Sequence, residues 1–171
     1  MKILVGIVAA LLALFGAAYV FGLTIPATQK HTRTITLKQA PEAVFAVVAD
    51  VQNMPKWHHG LEKVEPLPPI DGKEATRQTF KGNLQMTIVT TESLPPTHLV
   101  RSMGDVDGPF VGLWIYAISP AENGSNVALT EQSEVKNPIT RLMMKAFGPT
   151  KYIDEHLRDL AAHFGETAVI R

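Results

Sequence analysis

The sequence predicts an α+β fold: a curved antiparallel sheet of about seven strands wrapped around a long C-terminal helix, preceded by one N-terminal transmembrane helix. Three observations lead to this prediction. The N-terminus carries an uninterrupted apolar run, the middle of the chain alternates strand-like stretches with turn residues, and the C-terminal part has apolar residues at helical spacing.

The composition limits the number of domains and the class of partner. A chain of 171 residues that gives its N-terminal segment to a membrane has enough left for one domain with a sizeable core. Acidic and basic residues balance at 16 each, so no nucleic-acid partner is predicted. Cysteine is absent, which excludes disulfides, thiolate catalysis and thiolate-bound metals but leaves the redox compartment open.

The first segment is predicted to be a membrane anchor, residues 1–26. Residues 3–23 contain no charge, and at about 1.5 Å per residue they span roughly the 30 Å of a bilayer's hydrocarbon layer. A cleaved signal peptide is the alternative, but the run exceeds the usual stretch of about 7 to 15 residues and no A-x-A site directly follows Leu23. Basic residues flank both ends of the run, so they do not predict which side of the membrane the domain faces.

The domain itself is predicted to cover residues 32–165, after a polar tether at residues 27–31. Residues 32–37 alternate in the period-2 pattern of a strand. Pro41 fits the first turn of a helix that ends before Asn53. Pro and Gly then interrupt the chain, which predicts a turn or a short second helix before a strand at 62–65.

The middle of the chain is predicted to be an antiparallel meander. Each pair of strand-like stretches is separated by residues with turn chemistry. The stretches are 74–80, 84–93, 99–103, 111–119 and 127–135, and the turns are Asp71-Gly72, Gly82-Asn83, Pro95-Pro96, Asp107-Gly108-Pro109 and Asn123-Gly124.

The C-terminal part is predicted to be helical. Apolar residues recur at helical spacing over 139–147 and again over 153–164, with a break or sharp kink at Pro149 and a short tail at 166–171. An amphipathic helix laid across the concave face of such a sheet gives the helix-grip architecture, with a core or a cavity between the two.

Three segments then carry a resemblance to a known family. They are Arg33-Thr-Ile-Thr-Leu-Lys-Gln-Ala-Pro-Glu-Ala-Val-Phe45 with Val48-Ala-Asp50 and Trp57, Asp107-Gly-Pro-Phe110 before the strand of Trp114, and Thr130-Glu-Gln-Ser-Glu-Val-Lys-Asn-Pro138. With this order of elements, residues 32–165 resemble the START-like superfamily, also called SRPBCC, which includes polyketide cyclases and lipid-transfer domains. Membrane-tethered bacterial members look similar. The motifs are specific for the fold and weak for function.

Few residues indicate catalysis. His58 and His59 are candidates for metal ligands or acid-base groups. Side chains of adjacent residues usually point in different directions, however, so a position at the surface or at the pocket rim is favoured. His156 and His163 are left unassigned. Glu131 shares a strand face with apolar residues; if it points inward, it needs Arg77, Arg101 or water as a partner, whereas a solvated strand edge is the favoured alternative.

Motifs for other classes of protein are missing from the sequence. There is no G-x-S-x-G elbow, phosphate loop or dinucleotide fingerprint, so no cofactor is predicted. Asp105 and Asp107 are too few for a calcium site, and no metal is predicted. Asn123-Gly124-Ser125 fits a hairpin turn better than a glycosylation site.

The apolar and aromatic residues are more informative. Aromatic residues and methionines under the C-terminal helices suit a permissive pocket, and a solidly filled core is the alternative. The polar groups predicted to set the specificity for the ligand are His58, Arg77, Tyr116 and Glu131. Residues 55–61 and 145–152 are the predicted gates. The predicted pocket comprises Trp57, His58, Arg77, Phe80, Met86, Trp114, Tyr116, Glu131, Met143, Phe147 and Tyr152, and Phe110 and Met144 belong to the same apolar set.

The resulting hypothesis is a membrane-tethered, non-catalytic carrier or sensor for a lipid-like, isoprenoid or polyketide-like molecule. Two alternatives stay open. One is a cyclase or dehydratase in which an inward His or Glu moves protons in the same pocket. The other is an interaction module with a filled interior and an exposed apolar patch for a protein partner.

Overall fold

The computed structural model describes residues 2–104 and 110–171, so the predicted turn at Asp107-Gly108-Pro109 and the neighbouring Asp105 lie outside the described residues. The helices are α1 (Lys2–Leu23), α2 (Pro41–Ala49), α3 (Pro138–Phe147) and α4 (Lys151–His163), with a 3-10 helix at Val51–Lys56. The strands are β1 (Thr28–Leu37), β2 (Leu61–Ile70), β3 (Lys73–Phe80), β4 (Leu84–Leu94), β5 (His98–Met103), β6 (Phe110–Ala121) and β7 (Gly124–Val135).

The seven strands form one antiparallel sheet in the order β1-β7-β6-β5-β4-β3-β2. The chain therefore runs along β1 at one edge, crosses through α2 and the 3-10 helix to β2 at the opposite edge, and returns strand by strand until β7 pairs with β1. Helices α2, α3 and α4 pack against this curved sheet, whereas α1 packs against α3. The predicted helix-grip fold is confirmed.

Two strand boundaries differ from the sequence prediction. β1 begins at Thr28, which pairs with Glu134 of β7, so the residues predicted as a tether are part of the sheet. β2 continues to Ile70 instead of ending near residue 65, although it contains three prolines. Proline is tolerated there because β2 is an edge strand, where one side of the backbone has no neighbour to bond.

The core lies between the sheet and the helices α2 and α4. Leu157 and Leu160 of α4 are fully buried against sheet residues such as Leu129. Gly148, with φ 99°, separates α3 from α4 at the break predicted beside Pro149, and of these two helices α4 supplies residues of the core. A Cβ at this φ is strained, which favours glycine at the break.

The C-terminal residues are attached to the sheet. The backbone N–H of Thr34 donates to the Arg171 carbonyl at 2.9 Å, and the backbone N–H of Arg171 donates to the Thr34 carbonyl at 3.0 Å. The Glu166 carboxylate accepts from the Lys38 backbone N–H at 3.1 Å. The segment predicted as a tail thus covers the free edge of β1, which protects it from pairing with another chain.

The N-terminal helix α1 is long and apolar enough to cross a membrane, a property that signal sequences share. Its C-terminal end packs against α3, and Gly22 lies so close to the Pro138 carbonyl that a Cβ would overlap it. Arg141 of α3 donates from Nη1 to the Ile25 carbonyl at 3.2 Å and from Nε to the Val135 carbonyl at 2.6 Å. These contacts fix α3 beside the point where α1 ends.

Candidate functional site

A cavity of about 440 Å³ lies between the concave face of the sheet and the C-terminal helices. Four of the chain's six methionines line it, which gives it walls that adapt to differently shaped apolar molecules. The apolar lining residues are Met54, Phe80, Leu84, Met86, Ile88, Met103, Phe110, Trp114 and Met144; the others are His58, Gly60, Gln78, Lys81, Arg101, Tyr116, Glu131, Thr140, Tyr152 and Glu155.

Burial separates the mouth of the cavity from its depth. Leu84, after the β3–β4 turn, and Tyr152, at the start of α4, are both more than half exposed and mark the mouth. Arg101, Tyr116 and Glu131 are buried in the middle of β5, β6 and β7. A molecule that enters between Leu84 and Tyr152 therefore meets buried polar groups at its inner end, whereas Lys81 and Glu155 at the mouth are exposed to water.

Cross-strand pairing aligns three of the inner side chains. Arg101 of β5 lies opposite Trp114 of β6, and Trp114 lies opposite Glu131 of β7, so all three project from the same face. Trp114 Nε1 donates to Glu131 Oε2 at 3.3 Å. Burial raises the pKa of Glu131, and this hydrogen bond opposes the shift only in part.

Arg101 is a buried cation at the inner end. Its Nη2 donates to the Ala49 carbonyl at the end of α2, at 3.1 Å, while its Nε has no partner among the described residues. The guanidinium also lies beside the Tyr116 hydroxyl. Burial lowers the pKa of Arg101, but a guanidinium stays protonated in proteins at neutral pH.

Tyr116 and His156 form a buried neutral pair. The Tyr116 hydroxyl and His156 Nε2 lie 2.8 Å apart, and the aromatic rings of Trp57 and Trp114 pack edge-on against the imidazole. Burial, reinforced by the nearby His58 and Arg101, holds the pKa of His156 well below its usual value. Burial raises the pKa of Tyr116 to about 12. Neither group carries charge at neutral pH.

The two adjacent histidines converge on one carboxylate. His58 Nδ1 lies 3.2 Å from Asp159 Oδ2, and His59 Nδ1 lies 2.7 Å from Asp159 Oδ1. Sequence neighbours were expected to diverge, but the turn that follows Trp57 brings both rings to α4. Burial lowers the pKa of His58, although Asp159 opposes the shift. Across the described part of the chain, no cluster of His, Cys, Asp and Glu could hold a metal ion.

Protonation of His156 is expected to destabilise the fold in mild acid. Because its pKa is lowered on folding, the unfolded chain binds more protons below about pH 6.5, so stability falls as pH decreases, by up to about 1.4 kcal/mol per pH unit for one such group. His156→Gln should flatten this slope between about pH 6.5 and 5, measured by denaturant unfolding of the full chain.

The control is His163→Gln, because His163 is exposed on the same helix. It should keep the wild-type slope. Equal slopes for wild type and His156→Gln would contradict the assignment of the acid sensitivity to His156.

Seven of the predicted pocket residues line the cavity. Trp57 is instead packed in the core against His156. Arg77 is exposed on the face of β3 opposite Gln78, because side chains alternate along a strand. The residues on the cavity are His58, Phe80, Met86, Trp114, Tyr116, Glu131 and Tyr152.

The two predicted residues of α3, Met143 and Phe147, point away from the cavity and are 53% and 71% exposed. Their neighbour Met144 faces inward, since successive helical residues turn by about 100°.

Sequence reasoning missed Arg101 as a cavity residue. The alternation Leu99, Arg101, Met103 along β5 contained the signal, because it puts the arginine on the same face as two apolar residues that are buried. Arg101 was considered only as a partner for Glu131. Gln78 was missed for the same reason, since Arg77 was chosen from the opposite face of the strand.

The fold and the cavity define a helix-grip domain of the ligand-binding type. Residues 28–165 match the family described as polyketide cyclase / dehydrase and lipid transport, and the chain belongs to this family. This confirms the resemblance to the START-like superfamily. None of the curated proteins matches the sequence.

Solved structures share the fold at low sequence identity. The di-domain aromatase/cyclase StfQ of the steffimycin biosynthetic pathway gives a TM-score of 0.66 at 8% identity, covering 80% of this chain and 50% of StfQ. The Zhui aromatase/cyclase of Streptomyces sp. R1128 gives 0.64 at 15% identity, covering 78% of this chain and 91% of that one. A conserved protein of Geobacillus kaustophilus gives a TM-score of 0.62 at 15% identity, and the match covers 84% of this chain and 99% of that protein. This chain thus spans half the length of StfQ.

Proposed function

We propose that this protein is a membrane-tethered carrier or sensor domain that binds one apolar small molecule, such as a lipid, isoprenoid or polyketide-like compound, in its cavity. The observation that carries the proposal is the cavity of about 440 Å³ with its methionine-rich and aromatic walls. This volume lies within the range of about 300–1,000 Å³ that is typical of small-molecule sites. Burial of apolar ligand surface supplies the affinity, at about 25 cal/mol per Å².

The protonation states of the inner groups favour binding over catalysis. A general acid or base works best when its pKa is near the working pH. The pKa of Tyr116, about 12, is too high for this role, and the lowered pKa of His156 makes its imidazole a weak base. Both groups therefore serve as neutral hydrogen-bonding partners.

Glu131 supports a second candidate function, a cyclase or dehydratase. It is the buried carboxyl group of the cavity, and its raised pKa brings it nearer to neutral pH. Glu131→Gln preserves the size of the side chain and the contact with Trp114. A carrier keeps its ligand affinity after this substitution, whereas an enzyme of this kind loses turnover.

The proposed tether follows from α1 and its contact with α3. On α3, Met143 and Phe147 are exposed and Lys145 lies near the Phe21 ring, with 5.9 Å between Nζ and the ring centroid. An apolar helix face with a flanking lysine suits the boundary between lipid and water, where α1 ends. The carrier would then take its ligand from the adjacent bilayer.

The ligand-binding part of the proposal is tested with a neutral apolar probe. Full-length protein held in amphipol is titrated with tetradecan-1-ol and examined by native mass spectrometry. One saturable alcohol per chain is the expected result. No adduct, or a series of adducts that does not saturate, would contradict an internal site.

The tether is tested by placing a charge in the middle of α1. Leu12→Arg costs about 2.5–3.5 kcal/mol at the centre of a membrane-spanning helix. We expect the wild-type chain to stay in the membrane pellet after alkaline carbonate extraction and the variant to lose a large part of this retention. Leu12→Phe is the control that keeps the helix apolar. A wild-type protein recovered without residues 1–26 would identify α1 as a cleaved signal sequence.

A further inference from the structure

The inner end of the cavity holds a positive charge that the described residues do not neutralise. Arg101 is only 4% exposed, yet it forms no ion pair within residues 2–104 and 110–171. Its Nη2 donates to the Ala49 carbonyl and the guanidinium lies beside the neutral Tyr116 hydroxyl, while its Nε has no partner among the described residues. Buried arginines are normally paired, because an unpaired charge is costly to remove from water.

Nearby groups do not supply the missing negative charge. Glu74 attracts the guanidinium from a distance, but it is exposed and accepts a hydrogen bond from Thr90 Oγ1 at 3.0 Å. Tyr116 is neutral at neutral pH. Glu131 is separated from Arg101 by Trp114, two strand spacings of about 4.8 Å each.

We propose that Arg101 binds the carboxylate of an amphipathic ligand whose apolar body fills the rest of the cavity. This inference rests on the proposed carrier function and names its ligand class. A guanidinium presents a planar pair of donors that matches a carboxylate, and charge-assisted hydrogen bonds of this kind are about twice as strong as neutral ones. A single guanidinium also balances the one charge of a carboxylate, whereas a phosphate monoester carries close to two.

The geometry of the cavity sets the orientation of the ligand. Arg101 is at the buried end, and Leu84 and Tyr152 are at the exposed mouth, so the carboxylate enters first and the apolar tail extends toward the mouth. The desolvation of Arg101 has already occurred on folding. The incoming anion therefore gains a prepared partner, which compensates for the loss of its own hydration.

Glu155 and Lys81 at the mouth do not reverse this preference. Both are exposed, so solvent screens their charges. Glu155 also forms an ion pair with Lys151, with 3.9 Å between Oε1 and Nζ. Glu131 faces the same cavity, but burial raises its pKa and so favours its neutral form more than for an ordinary carboxyl group. The inner end therefore has a net preference for an anion.

The test compares two probes that differ only in the head group, tetradecanoic acid and tetradecan-1-ol. Both are titrated into full-length protein in amphipol and counted by native mass spectrometry. The wild type should bind the acid at least about tenfold more tightly than the alcohol. Arg101→Met should lower the affinity for the acid until the two affinities lie within about twofold of each other.

Two further variants keep the test decisive. Arg77→Met removes an exposed arginine from the opposite face of β3 and should keep the full preference for the acid. Arg101→Lys retains the charge without the planar fork and should give an intermediate preference, which also covers the case in which Arg101→Met fails to fold.

Each outcome separates the two proposals. Equal affinities in the wild type, or an acid preference that survives in Arg101→Met, overturn the assignment of Arg101 and leave the carrier function in place. Absence of binding for both probes overturns the carrier function and the ligand class together.

Discussion

Replacing Ile88 by tryptophan should lower the affinity for an apolar ligand by on the order of 50-fold. Ile88 is 4% exposed and lies on β4 where its side chain lines the cavity. An indole there occupies space that the ligand needs. Excluding about 100 Å² of ligand surface from apolar contact costs about 2.5 kcal/mol. Native mass spectrometry with tetradecan-1-ol measures the loss.

The matched control is Ile115→Trp. Ile115 lies on β6 between two residues that line the cavity, Trp114 and Tyr116, so its own side chain projects from the opposite face of the sheet. This control should bind the probe like the wild type. If Ile88→Trp binds as tightly as the control while unfolding at the same temperature, the ligand does not occupy the cavity.

Leu157→Ala should lower the free energy of unfolding by about 2–5 kcal/mol. Leu157 is completely buried on α4, and truncation leaves a void beneath the helix that closes the fold. The loss adds the transfer energy of the removed methyl groups to the cost of that void. Thermal and denaturant unfolding, followed by tryptophan fluorescence, provide the measurement.

Arg158→Ala is the control for this stability effect. Arg158 follows Leu157 on α4 but is exposed, so its removal should change the free energy of unfolding by less than about 0.5 kcal/mol. Comparable effects of the two substitutions would mean that α4 is not the helix that completes the core.

The fold was predictable because its signals are local and repeated. Turn pairs such as Asn123-Gly124 separate alternating strands, and the chain order then determines which strands pair. The separation of α3 from α4 followed from Gly148 and Pro149. The extension of β2 through its prolines could not be predicted, because proline is acceptable in a strand only when that strand is known to be at an edge.

The cavity was less predictable than the fold. Periodicity identifies which residues share a face, but the choice between a filled interior and an open one depends on how far α3 and α4 stand from the sheet. The rotation of α3 about its own axis is one example that the sequence alone does not determine. Met143, Met144 and Phe147 fit one apolar set in the sequence. In the structure Met144 lines the cavity, whereas Met143 and Phe147 are exposed on another face of α3, which also packs against α1.

The close approach of polar side chains at the inner end of the cavity could not be predicted from the sequence either. His156 and Tyr116 are 40 positions apart, and Asp159 is 101 and 100 positions from His58 and His59, so only the docking of α4 brings these pairs together. Arg101 differs in this respect. Its place on β5 between Leu99 and Met103 already implied an inward side chain, and its importance emerges because the described residues around it provide no countercharge.

The proposed carrier function is best examined by identifying the small molecule that co-purifies with the full-length protein. The full-length chain is purified from its host into amphipol, its intact mass is recorded under native conditions, and the bound small molecules are extracted and identified. A carrier of the proposed kind retains one apolar molecule per chain, with a carboxylate if Arg101 has the assigned role, and Ile88→Trp loses it. An unloaded chain that also fails to take up tetradecanoic acid and tetradecan-1-ol would contradict the carrier function.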